Sequence, residues 1–269
     1  MRKVLVFEYD EKLASLLMNE RLVIKVDSLV DIQFKYKISI RKNEVLAMVV
    51  SLPYTSVSQL EFKLDWEEIP MVLELYNLGD YILFLEKVDI IKHLNIRILL
   101  NSKSESLYTD LKILASLGID CGIKIESGHI MDDEKILDLA SYYYMSPVPH
   151  ATIEPFEYIL HHVNDESNTN FNEAYFCNPL LYKSLFSIDD LEGLHTEENN
   201  EWEIKLKDYY SHFIQLDDCS KCPAFKICNK QMQKCLYDCQ KTMTEIFELA
   251  ELRNEIINNN KKVKTICQL

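Results

Sequence analysis

The chain predicts an α/β fold. The expected body is a partial (β/α) barrel or parallel sheet with a β-rich N-terminus, followed by a helical, cysteine-rich, metal-binding C-terminal segment. Three observations predict it. Strand-like and helix-like runs alternate across residues 66–155. Short β-type runs fill residues 1–64. Five of the eight cysteines crowd into residues 219–239. Alternation of strand and helix implies parallel pairing, because parallel neighbours need a crossover long enough to hold a helix.

Residues 3–9 read as a first strand, 11–19 as a short helix and 21–26 as a second strand. Residues 31–40 alternate: Ile32, Phe34, Tyr36, Ile38 and Ile40 fall on one side, with Lys35, Lys37 and Ser39 on the other. That period of two predicts a half-buried strand. A turn at 41–44 would then lead into 45–50 as a hairpin, with a further strand over 60–64. Residues 66–78 are expected to be helical, with Ile69, Val72, Leu73 and Leu75 on one side. The apolar run 81–85 reads as a strand, followed by a short helix through Ile91.

Residues 96–125 form the clearest unit. A strand over 96–100 is followed by a helix over 102–117, with Ser104 or Ser106 as cap, ended by Gly118. A strand over 121–125 completes a βαβ unit. A helix over 131–143 carries Asp132 and Asp133 in its first turn, where the dipole favours acid. Residues 149–154 read as another strand and 156–163 as a helix. Beyond lie a polar loop over 165–172, a strand or hairpin over 180–187 and a linker over 195–200. An amphipathic helix over 202–216 leads to the cysteines, and a last helix runs from Cys239 to about Asn260. The division is therefore residues 1–195, the α/β body, and 196–269, the cysteine-rich helical segment.

The net charge of −14 argues against nucleic acid or an anionic membrane as partner, since both select a basic face. No apolar run is long enough for a membrane span, and the first ten residues lack a signal-peptide core. A cytoplasmic location is expected, where clustered thiols more often hold metal than pair as disulfides.

Cys219 and Cys222 form a C-x2-C knuckle. Cys235 and Cys239 stand at i, i+4, so one helix would place them on a shared face ~6 Å apart along its axis. The resulting C-x2-C-x12-C-x3-C spacing suits tetrahedral zinc. A second solution takes Cys219, Cys222 and Cys228 with either Cys235 or Cys239, and suits a [4Fe–4S] cluster. One site built from four of the five cysteines is expected, holding Zn(II) or the cluster.

The run Cys-Ser-Lys-Cys-Pro-Ala-Phe-Lys-Ile-Cys (219–228) resembles the auxiliary-cluster segment of SPASM-type radical SAM proteins. In that family the segment follows a partial (β/α) barrel, and many members modify ribosomally made peptides. In the family a fourth cysteine usually follows after three residues. Here position 232 is Met and the next cysteine is Cys235. The triplet C-x3-C-x2-C that holds the catalytic cluster is missing, since no cysteine precedes Cys121. The resemblance therefore implies a catalytically silent relative, a pseudo-radical-SAM accessory protein that binds a precursor peptide, a partner radical SAM enzyme, or both. Two further expectations stand beside it: a redox or metal-dependent peptide-modifying enzyme that uses the cluster directly, and a globular binding protein stapled by structural zinc.

Other residues invite weaker readings. His150 and Glu154 would share one face of a strand as an acid–base pair, and His161-His162 could bind metal. Tyr142-Tyr143-Tyr144 reads as packing at a helix end, Cys121 as a buried inert thiol and Cys177 as a possible further ligand. The five glycines are dispersed, so no phosphate-binding loop is present. With no nucleophile or acid–base constellation beside the cysteines, the chain is not expected to be an enzyme.

Overall fold

The computed structural model describes residues 4–12, 17–19, 21–41, 43–126, 129–163, 222, 236 and 238–266. Seven parallel strands pair in chain order: β1 (Val4–Glu8), β2 (Arg21–Val26), β3 (Glu44–Leu52), β4 (Met71–Leu75), β5 (Arg97–Asn101), β6 (Cys121–Lys124) and β7 (Ile153–Glu154). The crossovers carry α1 (Ile32–Ser39), α2 (Tyr81–Leu85), α3 (Val88–His93), α4 (Leu107–Ser116) and α5 (Asp133–Met145). After β7 come α6 (Phe156–Val163) and, later in the chain, α7 (Cys239–Ile266).

The two faces of the sheet differ. Leu22, Ile24, Met48, Val50, Leu73, Leu75, Ile98, Leu100 and Ile153 point to the helices and join one core with Leu111, Leu114, Leu139 and Phe156. The alternate residues point the other way. Val23, Val49, Val72 and Leu99 on that inner face are also buried, none more than 3% exposed. The inner layer is tight. A Cβ on Gly122 would sit 2.9 Å from the Glu154 side chain and 3.0 Å from Leu99. Sequential parallel order with both faces buried makes this an α/β fold built on a parallel sheet.

The expected βαβ unit is present, as are the helices near 131–143 and 156–163 and the last helix. The β-rich opening is present as β1, β2 and β3, but its strands are parallel and two of the expected ones are absent. Residues 32–39 are α1, because β2 and β3 are parallel neighbours and parallel neighbours need a crossover. Phe34 and Ile40, placed inward by the period-two reading, are 57% and 42% exposed. No hairpin forms at 41–44, and the expected strand over 60–64 is instead a loop over 60–63 flanked by short 3₁₀ turns at Val57–Gln59 and Leu64–Trp66.

The predicted helix over 66–78 is instead β4, which begins just after Pro70, a residue that would break a helix interior. The predicted strand over 81–85 is α2. Asp80 caps it, its carboxylate accepting from the backbone N–H groups of Ile82 and Leu83 at 2.9 and 3.1 Å. Of the expected helix over 11–19, residues 11 and 12 are helical, 17–19 are not, and 13–16 lie outside the described residues; the loop at 165–172, the strand or hairpin at 180–187, the linker and the helix over 202–216 lie wholly outside them.

The turn between β4 and α2 is fastened from three sides. Buried Asp110 on α4 accepts from Leu78 N–H at 3.1 Å, Tyr81 Oη–H at 2.9 Å and Ser106 Oγ–H at 2.8 Å. The Ser58 hydroxyl accepts from Asp80 N–H at 3.2 Å. Gly79 between them has φ +77°, and a Cβ there would lie 2.2 Å from Ser58 Oγ. Gly79→Ala should therefore cost about 2 kcal/mol, through backbone strain and displacement of Ser58. The expected readout is a lower urea midpoint at unchanged slope, and an unchanged midpoint would refute this account of the turn.

Candidate functional site

Of the five clustered cysteines, Cys222 and Cys239 are among the described residues, and both are half-buried against the main core. Cys219, Cys228, Cys235 and the scattered Cys177 lie outside the described residues. Cys239 is the first residue of α7. Asp238 caps that helix, its carboxylate accepting from Lys241 N–H at 3.2 Å. Leu236 is not helical, and α7 begins at Cys239. The expected i, i+4 thiol pair needs Cys235 and so falls outside the described residues. Cys239 itself stands at a helix N-terminus, where unsatisfied N–H groups favour an anionic ligand atom. Soft thiol donors at this place fit zinc or an iron–sulfur cluster. Among the described residues no three His, Cys, Asp or Glu side chains are arranged to hold a metal ion.

The segment is anchored to the body. The α7 helix packs on α5 and α6. Leu236, Met243, Ile246, Phe247 and Ala250 are buried and join the core of the sheet's helical face. Asp133, in the first turn of α5, accepts from Asp238 N–H at 2.9 Å and Thr242 Oγ–H at 3.0 Å. One carboxylate thus ties the start of α5 to the start of α7, within three residues of Cys239.

A second group of polar residues lies on the sheet's inner face, toward the C-terminal ends of the strands. Buried Glu74 on β4 accepts from Lys124 Nζ of β6 at 2.8 Å and from Ser51 Oγ–H of β3 at 2.8 Å. Lys25 of β2 adds a second positive charge nearby. Burial alone would raise the Glu74 pKa, but Lys124 and Lys25, with the two hydrogen bonds, outweigh it and hold the pKa below the ordinary 4.5. Burial pushes the Lys25 ammonium the other way, below its usual range. Next to them Asn101 of β5 donates to Glu126 at 3.3 Å. Ligands of parallel α/β sheets bind at this rim. The sequence signal was a charged residue inside an apolar strand, Met-Val-Leu-Glu-Leu, hidden once 66–78 was read as a helix.

His150 precedes β7 rather than lying in it. Its ring nitrogens lie 3.1 and 3.0 Å from the carbonyls of Ala151 and Tyr143, and its ring stacks on Tyr142. Glu154 instead accepts from Tyr158 N–H at 3.2 Å, so the expected His150–Glu154 pair is not supported. His161 meets Glu157 one turn away at 2.9 Å, and Glu157 also accepts from Tyr143. Tyr143 and Tyr144 are buried at the end of α5, Tyr144 donating to the Phe156 carbonyl at 2.8 Å. Cys121 is buried, and burial, with Asp120 and Glu154 nearby, pushes its thiol well above the usual range.

Because the folded Glu74 carboxyl is the stronger acid, its ionised form adds stability above pH 4.5, and that stability is lost as pH falls through the lowered folded pKa. Glu74→Gln should cost about 2–4 kcal/mol at pH 7, by leaving Lys124 without its charge partner. It should also flatten the loss of stability on the acid side of pH 4.5. Urea titrations at several pH values check both effects. An equal acid-side slope in the two proteins would contradict the network.

No helix among the described residues is long and apolar enough to cross a membrane. No protein-family model, curated protein or solved structure matches this chain.

Proposed function

We propose that this chain is a cytoplasmic, non-catalytic, SPASM-like accessory protein of ribosomal-peptide maturation, which binds a precursor peptide and/or a partner radical SAM enzyme. The observation that carries the reading is the layout. A parallel sheet in sequential order is followed by a cysteine segment whose last thiol, Cys239, is anchored through α7 to the final helices of the body. The C-x2-C-x5-C run over 219–228, which carries the resemblance to SPASM-type proteins, stands in the same segment.

The catalytic half of such proteins finds no counterpart in these residues. No cysteine precedes Cys121, and the Cys121 thiol is buried, 3.7 Å from the Leu111 carbonyl and 3.6 Å from that of Thr152. At the strand rim the polar side chains are committed to one another, with Glu74 holding Lys124 and Ser51. Binding rather than turnover suits that arrangement.

Four of Cys219, Cys222, Cys228, Cys235 and Cys239 would hold one Zn(II) ion or one [4Fe–4S] cluster. When bound, such a centre closes its coordination with thiolates and fixes the segment against the body. Asp133 and the buried face of α7 then keep Cys239 in place.

Protein purified without oxygen should carry about one zinc, or about four iron and four sulfide, per chain. Cys222→Ser and Cys239→Ser should each lower that content severalfold. Pull-downs of the full chain with candidate precursor peptides and candidate radical SAM enzymes should recover a complex. Metal-free protein that forms a complex with neither class would end the reading. Zinc together with a complex would retain binding and assign the metal a purely structural role.

A further inference from the structure

Helix α2 exposes an unusual amount of apolar surface for a five-residue element. Phe84 is buried, but Ile82, Leu83 and Leu85 are 73%, 48% and 54% exposed, and the Tyr81 ring is also exposed. Tyr54, in the loop after β3, is 92% exposed. The loops after β3 and β4 form one hydrogen-bonded unit: Tyr76 N–H donates to the Thr55 carbonyl at 2.9 Å, and Ser58 N–H to that of Leu78 at 3.0 Å. Both loops leave the C-terminal ends of their strands, the side on which parallel α/β sheets receive ligands. Exposed apolar side chains grouped on one element are a docking feature more than a solvated face.

The surface is also held ready. Asp110 fastens the turn before α2 through Leu78 and Tyr81, and Asp80 caps the helix. Little conformational entropy is left to lose when a partner docks. The charge around it is one-sided. Asp65, Glu67, Asp80, Glu86 and Asp89 are exposed in the surrounding stretch, against the cations Lys63 and Lys92. Residues 60–67 lie beside α2 and α3: Lys87 Nζ donates to the Leu60 carbonyl at 2.8 Å, and His93 lies 3.6 Å from Glu67.

We propose that the face made by Tyr54, Tyr81, Ile82, Leu83 and Leu85 docks a basic, amphipathic segment of a partner polypeptide. Its apolar side lies on α2 and its lysine or arginine side chains meet the acidic surround. This deepens the peptide-binding reading above and rests on it, giving that peptide a place and a chemistry. An acidic surround selects against acidic segments and against a second copy of this chain, whose own net charge is −14.

The test uses a synthetic helix-forming peptide with leucine at every third or fourth position and lysine elsewhere, followed by fluorescence anisotropy with the full chain. Saturable one-to-one binding is expected, weakening as salt rises. Ile82→Glu and Leu85→Glu should each weaken it by about tenfold or more. Glu86→Lys should weaken it by a smaller factor, and Leu252→Glu, on exposed α7 surface, should leave it unchanged. All four side chains are exposed, and thermal unfolding verifies that each variant folds.

No binding, binding that the α2 variants leave unchanged, or equal binding of the peptide with glutamate in place of lysine would overturn the proposal. A wild-type dimer that Ile82→Glu converts to monomer would overturn it in favour of a self-interface. If precursor pull-downs succeed while the α2 variants still bind the peptide, the docking face is wrong and the accessory function stands.

Discussion

Six successive parallel pairings without one reversal of strand order constrain everything else in this chain. Right-handed crossovers that all advance in one direction put every connecting helix on the same side of the sheet. That side becomes the main core, where Leu73, Ile98 and Leu100 meet Leu111, Leu114 and Leu139. The other side has no helical layer from these crossovers, yet Val23, Val49, Val72 and Leu99 on it are buried. Gly122 shows how little room is left on that face.

The inner face changes character along the strands. Apolar side chains fill its middle, and charged ones gather toward the C-terminal ends, where the crossover loops also leave. Glu74 is the pivot. A buried carboxylate without a partner would be costly, and two lysines reaching it from β2 and β6 offset that cost. Lys124 belongs to the strand two places along from β4, so the ion pair bridges across β5. An interaction of that span ties β4 and β6 together at the rim across the strand between them. The neighbouring loops inherit this rigidity, and with it the fastened turn that presents α2.

Much of this was legible in the sequence where local and tertiary preferences agree. The βαβ unit over 96–125 combines a helical apolar side, a Gly118 stop and two β-type runs, and every signal points the same way. The errors share one cause. Residues 31–40 alternate by accident, and the need to cross from β2 to parallel β3 overrides the pattern. The five apolar residues of α2 look like a strand because both periodicities fit so short a run. Asp80 before them was the distinguishing sign, as Pro70 was for β4. Those two misreadings hid both features of interest, the charged rim and the exposed helix. The cysteine cluster was visible from spacing alone, but its geometry was not. Where α7 begins is decided by Asp238 and by Asp133, more than a hundred residues away in the chain.

That long-range tie bears on what the cysteine segment is for. A thiol site confined to its own loop would need nothing from the body beyond a tether. Here the helix that begins with Cys239 contributes Met243, Ile246, Phe247 and Ala250 to the body's core, and its first turn shares a carboxylate with α5. Loosening α5 therefore loosens the N-terminus of α7, and a metal bound at Cys239 would stabilise the body through the same contacts, by binding the folded state alone. A centre coupled to folding in this way would act on the whole protein's rigidity. Rigidity is what a binding partner with a preformed docking face requires, whereas a redox centre has no need to share the core of the sheet.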